Sequence, residues 1–378
     1  MSSEDLSALG AASTAEEITH QPAVWRLLAQ DLEERADTVR AFLEPLLSRA
    51  DLRIVLTGAG TSAYAGQVLA PGLSRTLSRR VDAVPTTDIV SHPQQIFAED
   101  VPTLLVSFAR SGDSPESLAA VQFADSQLSD VHHLVLTCNP DGALARQRPD
   151  RSLVLVMPEG TNDRGFAMTS SFTSMLLACR IVLGGNAGWM EQAARAAEQV
   201  LSVMSGPDGL AAQLAARTFE RVVYLGSGAL TGLARESALK LTELTAGAVP
   251  TWAESALGFR HGPKAVLTGS TLALVYLSND PYTRLYDEDI VTELRTQLGS
   301  SQVLVIGASA PRDTTGLTLV PDGLAAVDDA VLAAVFVVAA QELALRFSLA
   351  HGIGSDNPFP GGQVNRVVKG VTLHPLPA

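Results

Sequence analysis

IVLTGAGTSAYAG at residues 54–66 and VVYLGSGALTGLA at residues 222–234 are the two stretches that decide the fold. In each stretch, a short aliphatic, β-branched run ends in a Gly-x-Gly turn, and a helical pattern follows. A buried strand that turns through glycines into a helix is typical of parallel sheets covered by helices. We therefore predict such a sheet in each half of the chain.

Other apolar runs repeat with the same spacing. The candidate strands are 54–57, 103–108, 133–137 and 153–157 in the first half, and 222–226, 272–277, 302–307 and 317–320 in the second. The centres of the first three pairs lie 168, 170 and 169 residues apart. A constant offset indicates duplication. The predicted fold class is α/β, with two tandem domains that each contain a doubly wound, flavodoxin-like, three-layer parallel sheet flanked by helices.

A Gly/Pro break, MSGPDGL at 204–210, marks the expected domain boundary. Residues 1–206 then hold a leading helix at about 22–50 and the first domain. Residues 207–378 hold the second domain and end in a Pro- and Gly-rich C-terminal strap.

Composition and charge exclude several classes of protein. Hydrophobic residues make up 46% of the chain and charged residues 18%, a balance that favours a packed core over disorder. The net charge of −13 disfavours nucleic acid and anionic membranes as partners. The apolar run 325–347 contains Asp328 and Glu342, so we expect a buried helix there and no membrane span. Cys138 and Cys179 lie in apolar runs, and the first twenty residues are polar and acidic, which predicts a cytoplasmic protein without a signal peptide.

Small and hydroxyl residues follow two strands of the first half, where backbone N–H groups at helix N-termini bind anions. The candidate phosphate-binding residues are Gly60, Thr61, Ser62, Arg110, Ser111 and Ser114. Three alternatives remain open at this point. The first is a dinucleotide-binding site, because the first loop and Asp82 resemble that pattern. The second is that the loops are structural turns and helix caps that bind no ligand. The third is that Arg110 only forms an ion pair with Asp113 or Glu116.

The second half concentrates acid/base residues. Glu236, Lys240 and Glu243 share one helix face, a pattern that is also typical of a solvated ion-pair surface. His261 lies in a GFRHGPK turn and Lys369 in the strap. Each is also explained as an ordinary structural residue. No cluster has metal-ligand spacing, so neither a metal nor a cofactor is predicted.

Six strings in order resemble duplicated sugar isomerase (SIS) domain proteins. They are GAGTSAYAG, SFARSGDSPES, TNDRGFAMTSSFTSMLL, YLGSGALTGLARESALKLTELTAG, GFRHGPK and LSNDPYTR. The resemblance runs from about residue 20 to the C-terminus and is strongest to the AgaS group of tagatose/galactosamine-6-phosphate isomerases or deaminases. It extends more distantly to the isomerase domain of glucosamine-6-phosphate synthase.

The resemblance implies roles for individual residues. Glu243 would move a proton between C1 and C2 of an open-chain sugar phosphate, with Lys240 beside it. His261 would open and close the sugar ring from a neighbouring subunit, which implies a homodimer, and Lys369 matches a lysine near the synthase's C-terminus. The chain departs from the synthase where Ala109 and Arg110 replace Ser-Gln.

The reaction expected from these residues is deamination and isomerisation of galactosamine 6-phosphate to tagatose 6-phosphate, with glucosamine 6-phosphate as a related substrate. One alternative is a plain aldose–ketose phosphosugar isomerase. Another is a noncatalytic sugar-phosphate-binding protein, which would not need Glu243, His261 and Lys369 together.

Overall fold

The computed structural model describes residues 3–147, 151–368 and 370–375. These residues form two compact units. We call residues 27–162, 170–186 and 361–378 the N-sheet unit, and residues 1–26, 163–169 and 187–360 the C-sheet unit. Each unit contains one sheet.

The two sheets have the same topology. The strands are β1 Arg53–Thr57, β2 Val81–Ala83, β3 Thr103–Ala109, β4 Val131–Thr137 and β5 Ser152–Val156 in the N-sheet unit, and β6 Arg221–Leu225, β7 Thr251–Glu254, β8 Thr271–Tyr276, β9 Val303–Ile306 and β10 Leu317–Leu319 in the C-sheet unit. Their orders are β2-β1-β3-β4-β5 and β7-β6-β8-β9-β10, and every pairing is parallel. The predicted α/β class and all eight predicted strands are confirmed. Only the short strands β2 and β7 were not predicted.

Helices cover the sheets. They are α1 Ser3–Ala8, α2 Ala12–Thr19, α3 Gln21–Glu34, α4 Ala36–Leu47, α5 Thr61–Leu77, α6 Thr86–Ser91, α7 Pro93–Ile96, α8 Pro115–Gln127, α9 Ala143–Gln147, α10 Ser170–Gly184, α11 Met190–Met204, α12 Leu210–Ala215, α13 Ala229–Leu244, α14 Pro281–Leu298 and α15 Asp329–Ala350. The predicted single helix at 22–50 is in fact two helices, α3 and α4, which are interrupted at Arg35.

Each unit has a core of its own. In the N-sheet unit, β1 and β3 are buried along their whole length, and α10 packs on α5. In the C-sheet unit, α15 packs on α11, α12 and α13. Among the described helices, α15 alone is long and apolar enough to cross a membrane, but its whole apolar window is buried within the protein. A helix that is apolar on all sides belongs in a core, as predicted from the sequence.

Along the chain, strands β1–β5 precede the predicted boundary at residues 206 and 207, and strands β6–β10 follow it. The C-sheet unit also takes in 1–26 and 163–169, which precede that boundary, and α11 packs on α15. The boundary itself stays a prediction.

Candidate active site

The two glycine turns have nearly the same backbone conformation. Gly60 precedes α5 with φ 56° and ψ −125°, and Gly228 precedes α13 with φ 58° and ψ −124°. Glycine alone adopts such dihedrals without strain. A Cβ on Gly58 would lie 2.5 Å from the Cβ of Ser62, so the turn also needs glycine for close approach. The predicted turns are therefore equivalent structures at the carboxyl ends of β1 and β6.

The first turn of the N-sheet unit presents buried hydroxyl residues at a helix N-terminus. Thr61 and Ser62 are the first two residues of α5, and both are buried. The amide of Ser62 donates to the Ala59 carbonyl at 3.1 Å. Two hydroxyl residues thus lie at a helix N-terminus beyond the end of β1, where the helix dipole favours an anion.

The second predicted loop follows β3. Ser111 is half-buried, and Ser114 caps α8 by accepting from the Ser117 amide at 3.3 Å, with Pro115 at the first helical position. Arg110 is buried, and its Nη2 donates to the Arg366 carbonyl at 2.8 Å.

A third loop, which sequence reasoning missed, supports the second. Asn139 Nδ2 donates to the Ser111 carbonyl at 2.9 Å, and the Leu144 amide donates to the Gly112 carbonyl at 3.0 Å. A Cβ on Gly142 would lie 2.3 Å from the Ser111 carbonyl oxygen, so the loops touch backbone to backbone. The available signal was the Asn-Pro-Asp-Gly turn at 139–142, which is separated from the end of β4 by one residue.

Asp82 does not suit the dinucleotide alternative. Its Oδ2 accepts from Arg53 Nε at 2.7 Å and lies 2.9 Å from Arg80 Nε. Because two guanidinium groups already bind this carboxylate, it is a poor acceptor for a ribose hydroxyl. The ion pairs favour a structural role for Asp82 at β2.

In the C-sheet unit, α13 brings together three of the charged side chains that the sequence singled out. Lys240 is completely buried, and its Nζ lies 2.5 Å from Glu243 Oε2 and 3.5 Å from Glu236 Oε1. Glu236 is also completely buried, whereas the Glu243 side chain is 25% exposed. The solvated-surface alternative is therefore wrong for this face, and Glu243 is the member of the cluster that solvent reaches.

The predicted histidine lies on a turn of two short 3₁₀ helices, Gly258–Arg260 and Pro263–Val266. His261 is exposed between them. Arg260 and Lys264 both pair with the Glu293 carboxylate of α14, with Arg260 Nε 2.7 Å from Oε2. These ion pairs fix the turn on both sides of the imidazole.

Lys369, the last predicted catalytic residue, lies outside the described residues. Among the residues that are described, no group of three or more His, Cys, Asp or Glu side chains is arranged to hold a metal ion.

The C-sheet turn that corresponds to the phosphate loops is occupied by carboxylates of the unit itself. Asp287 accepts from Ser227 Oγ at 2.6 Å and from the Ser278 amide at 3.0 Å. Asp329 accepts from Ser278 Oγ at 2.6 Å and from the Asn279 amide at 2.8 Å. Burial raises the pKa of Asp287 to about 6 and also raises the pKa of Asp329. The donors at this sheet end already bind anionic groups.

Several known proteins are similar to this chain. The SIS domain family model matches residues 46–183. An AgaS protein of Streptomyces coelicolor is 57% identical over 97% of this chain and 96% of its own length. The D-galactosamine-6-phosphate deaminase AgaS of Shewanella sp. is 42% identical over 100% of this chain and 95% of its own length.

A solved structure, the tagatose-6-phosphate ketose/aldose isomerase of Escherichia coli, is also similar. It has a TM-score of 0.88 and 39% identity over 97% of each chain. A glutamine–fructose-6-phosphate aminotransferase of Bradyrhizobium diazoefficiens is a more distant relative, 26% identical over 91% of this chain and 57% of its own length. The resemblances noted in the sequence are thus confirmed, and the chain belongs to the AgaS family of SIS-domain proteins.

Proposed function

We propose that this protein is an amino-sugar-phosphate deaminase that converts galactosamine 6-phosphate and water to tagatose 6-phosphate and ammonia. The observation that carries the proposal is the geometry on α13, where a partly exposed carboxylate, Glu243, is held by the buried ammonium of Lys240. A carboxylate so held suits repeated proton transfer at carbon. The name of the Shewanella relative supports the same substrate.

The first step is ring opening. His261 moves a proton from the anomeric hydroxyl to the ring oxygen, which leaves an aldehyde at C1 and an amine at C2. Its exposed position on a turn pinned by Arg260 and Lys264 supports this role, because the imidazole is accessible to a sugar. Imidazole is the side chain best suited to transfer protons near neutral pH.

The second step is the hydrogen shift. Glu243 takes the C2 proton, the electron pair forms a C1–C2 double bond, and O1 takes a proton from solvent to give an enolamine. Glu243 then returns its proton to C1, which leaves an iminium at C2. Water adds to that iminium, and ammonia and one proton depart to solvent, so the product is a ketone at C2.

The two lysines then have different proposed roles. Negative charge develops on O1 during proton transfer and requires a fixed cation. Lys240 is completely buried between Glu236 and Glu243, which supports its assignment as a positioning residue for the base. We assign the cation at O1 to Lys369.

The phosphate is assigned to the N-sheet unit. The proposed ligands are the six residues predicted from the sequence, Gly60, Thr61, Ser62, Arg110, Ser111 and Ser114. Support comes from the two helix N-termini at these loops and from the contrast with the C-sheet unit, where Asp287 and Asp329 occupy the corresponding donors.

A plain aldose–ketose isomerase is the second candidate, favoured by the name of the similar Escherichia coli structure. The same residues would then act on a hydroxyl at C2 through an enediol, and no nitrogen would be released. The measured products separate these two reactions.

The proposal includes a homodimer in the cytoplasm. The exposed His261 turn supports a contribution to a second subunit's site. Cys138 and Cys179 are both buried and form no disulfide, as expected in a reducing compartment.

Ammonia and ketose release from pure protein tests the function, with galactosamine 6-phosphate, glucosamine 6-phosphate and a plain aldose phosphate as substrates. We expect ammonia and ketose in equal amounts from galactosamine 6-phosphate. Glu243→Gln should lower kcat by about 10²–10⁴-fold while the protein still binds the sugar phosphate.

Glu220→Gln, at an exposed position before β6, is the matched control and should keep wild-type activity. Ketose without ammonia from the plain aldose phosphate would establish the isomerase alternative. Binding without any product from all three substrates would establish the noncatalytic one.

A further inference from the structure

We propose that Arg110 is a positioning residue that fixes the C-terminal strap, defined as residues 361–375, within the N-sheet unit. The contact is direct, because Arg110 Nη2 donates to the Arg366 carbonyl at 2.8 Å. The inference rests on the proposed function in one respect, the catalytic role of Lys369, which follows Arg366 by three residues. The positioning itself is independent of any substrate.

Besides the contact with Arg110, Asn365 Nδ2 donates to the Gly362 carbonyl at 3.4 Å within the described part of the strap. Its described residues form no helix or strand, and all of them except Val367 are exposed. The apolar side chains of Val364, Val368, Val371 and Leu373 are 37–50% exposed, so their partial burial contributes to the position of the strap. A hydrogen bond from a charged donor adds to this, since such bonds are about twice as strong as neutral ones.

Arg110 is itself rigidly held. It is 7% exposed and directly follows β3, a strand that is buried along its whole length. The loop after it is held by Asn139 and by the close approach of Gly142 to the Ser111 carbonyl. The guanidinium therefore presents its donor at a place determined by the sheet.

The contact between Arg110 and Arg366 matters for the proposed function because Arg366 is close to Lys369 in the sequence. Lys369 follows Arg366 by three residues, and three extended residues span at most about 10 Å, so the contact at Arg366 lies close in sequence to the lysine that the proposed function uses. A planar guanidinium offers five N–H donors, which lets one side chain contact a strap carbonyl and a phosphate oxygen together. A lysine at position 110 would be shorter and lacks this fork.

Limited proteolysis with trypsin, without substrate or phosphate, tests the inference. The measured quantity is the rate of cleavage after Arg366, read from the mass of the shortened chain. In Arg110→Met we expect cleavage about tenfold faster than in the wild type, the factor for one charged hydrogen bond. Arg110→Lys, which keeps the charge and perturbs folding less, should fall between the two.

Arg79→Met is the matched control. Arg79 Nη2 donates to the Leu47 carbonyl at 2.8 Å in the same unit, but it does not touch the strap in the described structure. Its substitution should leave the cleavage rate after Arg366 unchanged. Equal cleavage rates in the wild type, Arg110→Met and Arg110→Lys would overturn the inference.

Kinetics supply the second readout. If Arg110 positions the strap, Arg110→Lys lowers kcat beyond any rise in KM, because the charge for phosphate is kept while the strap loses its contact with residue 110. A change in KM alone would reject positioning in favour of a phosphate contact. A wild type without deaminase activity would remove the proposed function but leave the proteolysis result intact.

Discussion

Lys240 illustrates how a single residue is governed by its surroundings. Its ammonium is completely buried and lies between the carboxylates of Glu236 and Glu243. A buried charge is tolerated only when it is paired. The spacing of these residues along α13 predicted that they share a face, but the depth of that face depends on what packs against it.

Removal of the ammonium should destabilise the protein and inactivate it. We expect Lys240→Met to lower the free energy of unfolding by about 3 kcal/mol, because the buried Glu236 carboxylate loses the cation it contacts. Urea denaturation measures this change. Activity should fall too, since Glu243 is no longer held.

The double variant Glu236→Gln/Lys240→Met separates the two effects. It removes both buried charges, so it should recover most of the stability of the wild type but none of the activity. If Lys240→Met has the same urea midpoint of unfolding as the wild type, the buried ion pair contributes nothing to stability. If the double variant regains activity, Lys240 does not position the base.

At the scale of elements, the two βα turns are one structure used twice. Gly60 and Gly228 differ by only 2° in φ and 1° in ψ. A Cβ on either residue would meet no atom within 4 Å. An alanine at either site would therefore destabilise the protein through backbone strain alone and not through a steric clash. The two substitutions can be compared directly for this reason.

We expect Gly60→Ala and Gly228→Ala to lower the free energy of unfolding equally, by about 1–3 kcal/mol each. Only Gly60→Ala should also weaken binding of the sugar phosphate, because its turn is the one assigned to the phosphate. Urea denaturation and calorimetric titration measure the two quantities. If only Gly228→Ala weakened binding, the phosphate would bind in the C-sheet unit, and its assignment to the N-sheet unit would be wrong.

Most elements were predictable because their patterns are local. The eight predicted strands carry aliphatic runs that contrast with their flanking turns. Strands β2 and β7 are short, and their residues are only partly apolar, so no periodicity distinguishes them. The break between α3 and α4 has no proline or glycine at Arg35 to signal it.

At the scale of the molecule, duplication has produced two sheets of the same topology with different polar groups at their carboxyl ends. In the N-sheet unit, the loops present Ser62, Arg110 and Ser111. In the C-sheet unit, Asp287 and Asp329 bind the corresponding hydroxyl and amide donors. The donors that the proposed phosphate site would use are therefore taken up by the protein's own carboxylates in the C-sheet unit.

Mixed dimers test whether His261 acts in the site of the neighbouring subunit. We expect Glu243→Gln and His261→Ala each to be inactive alone, and their random mixture to recover about one quarter of the wild-type rate. Half of the randomly formed dimers are then mixed, and each mixed dimer has one intact site of two.

The control is the same mixture with both substitutions on one chain and none on the other, which retains activity under either arrangement. An inactive mixture of the single variants would show that each site uses the imidazole of its own chain. If light scattering showed that the protein is a monomer, a site shared between subunits would also be excluded.

The sequence by itself determined the parallel α/β sheets, their duplication and the glycine turns. These follow from spacing and residue type, which are properties of neighbours along the chain. Only the tertiary structure decided that Lys240 is buried, that Asp287 and Asp329 occupy one turn, and that Arg110 binds Arg366 across 256 residues of sequence. Burial and long-range hydrogen bonds depend on groups that packing brings together, and no local pattern encodes which groups those are.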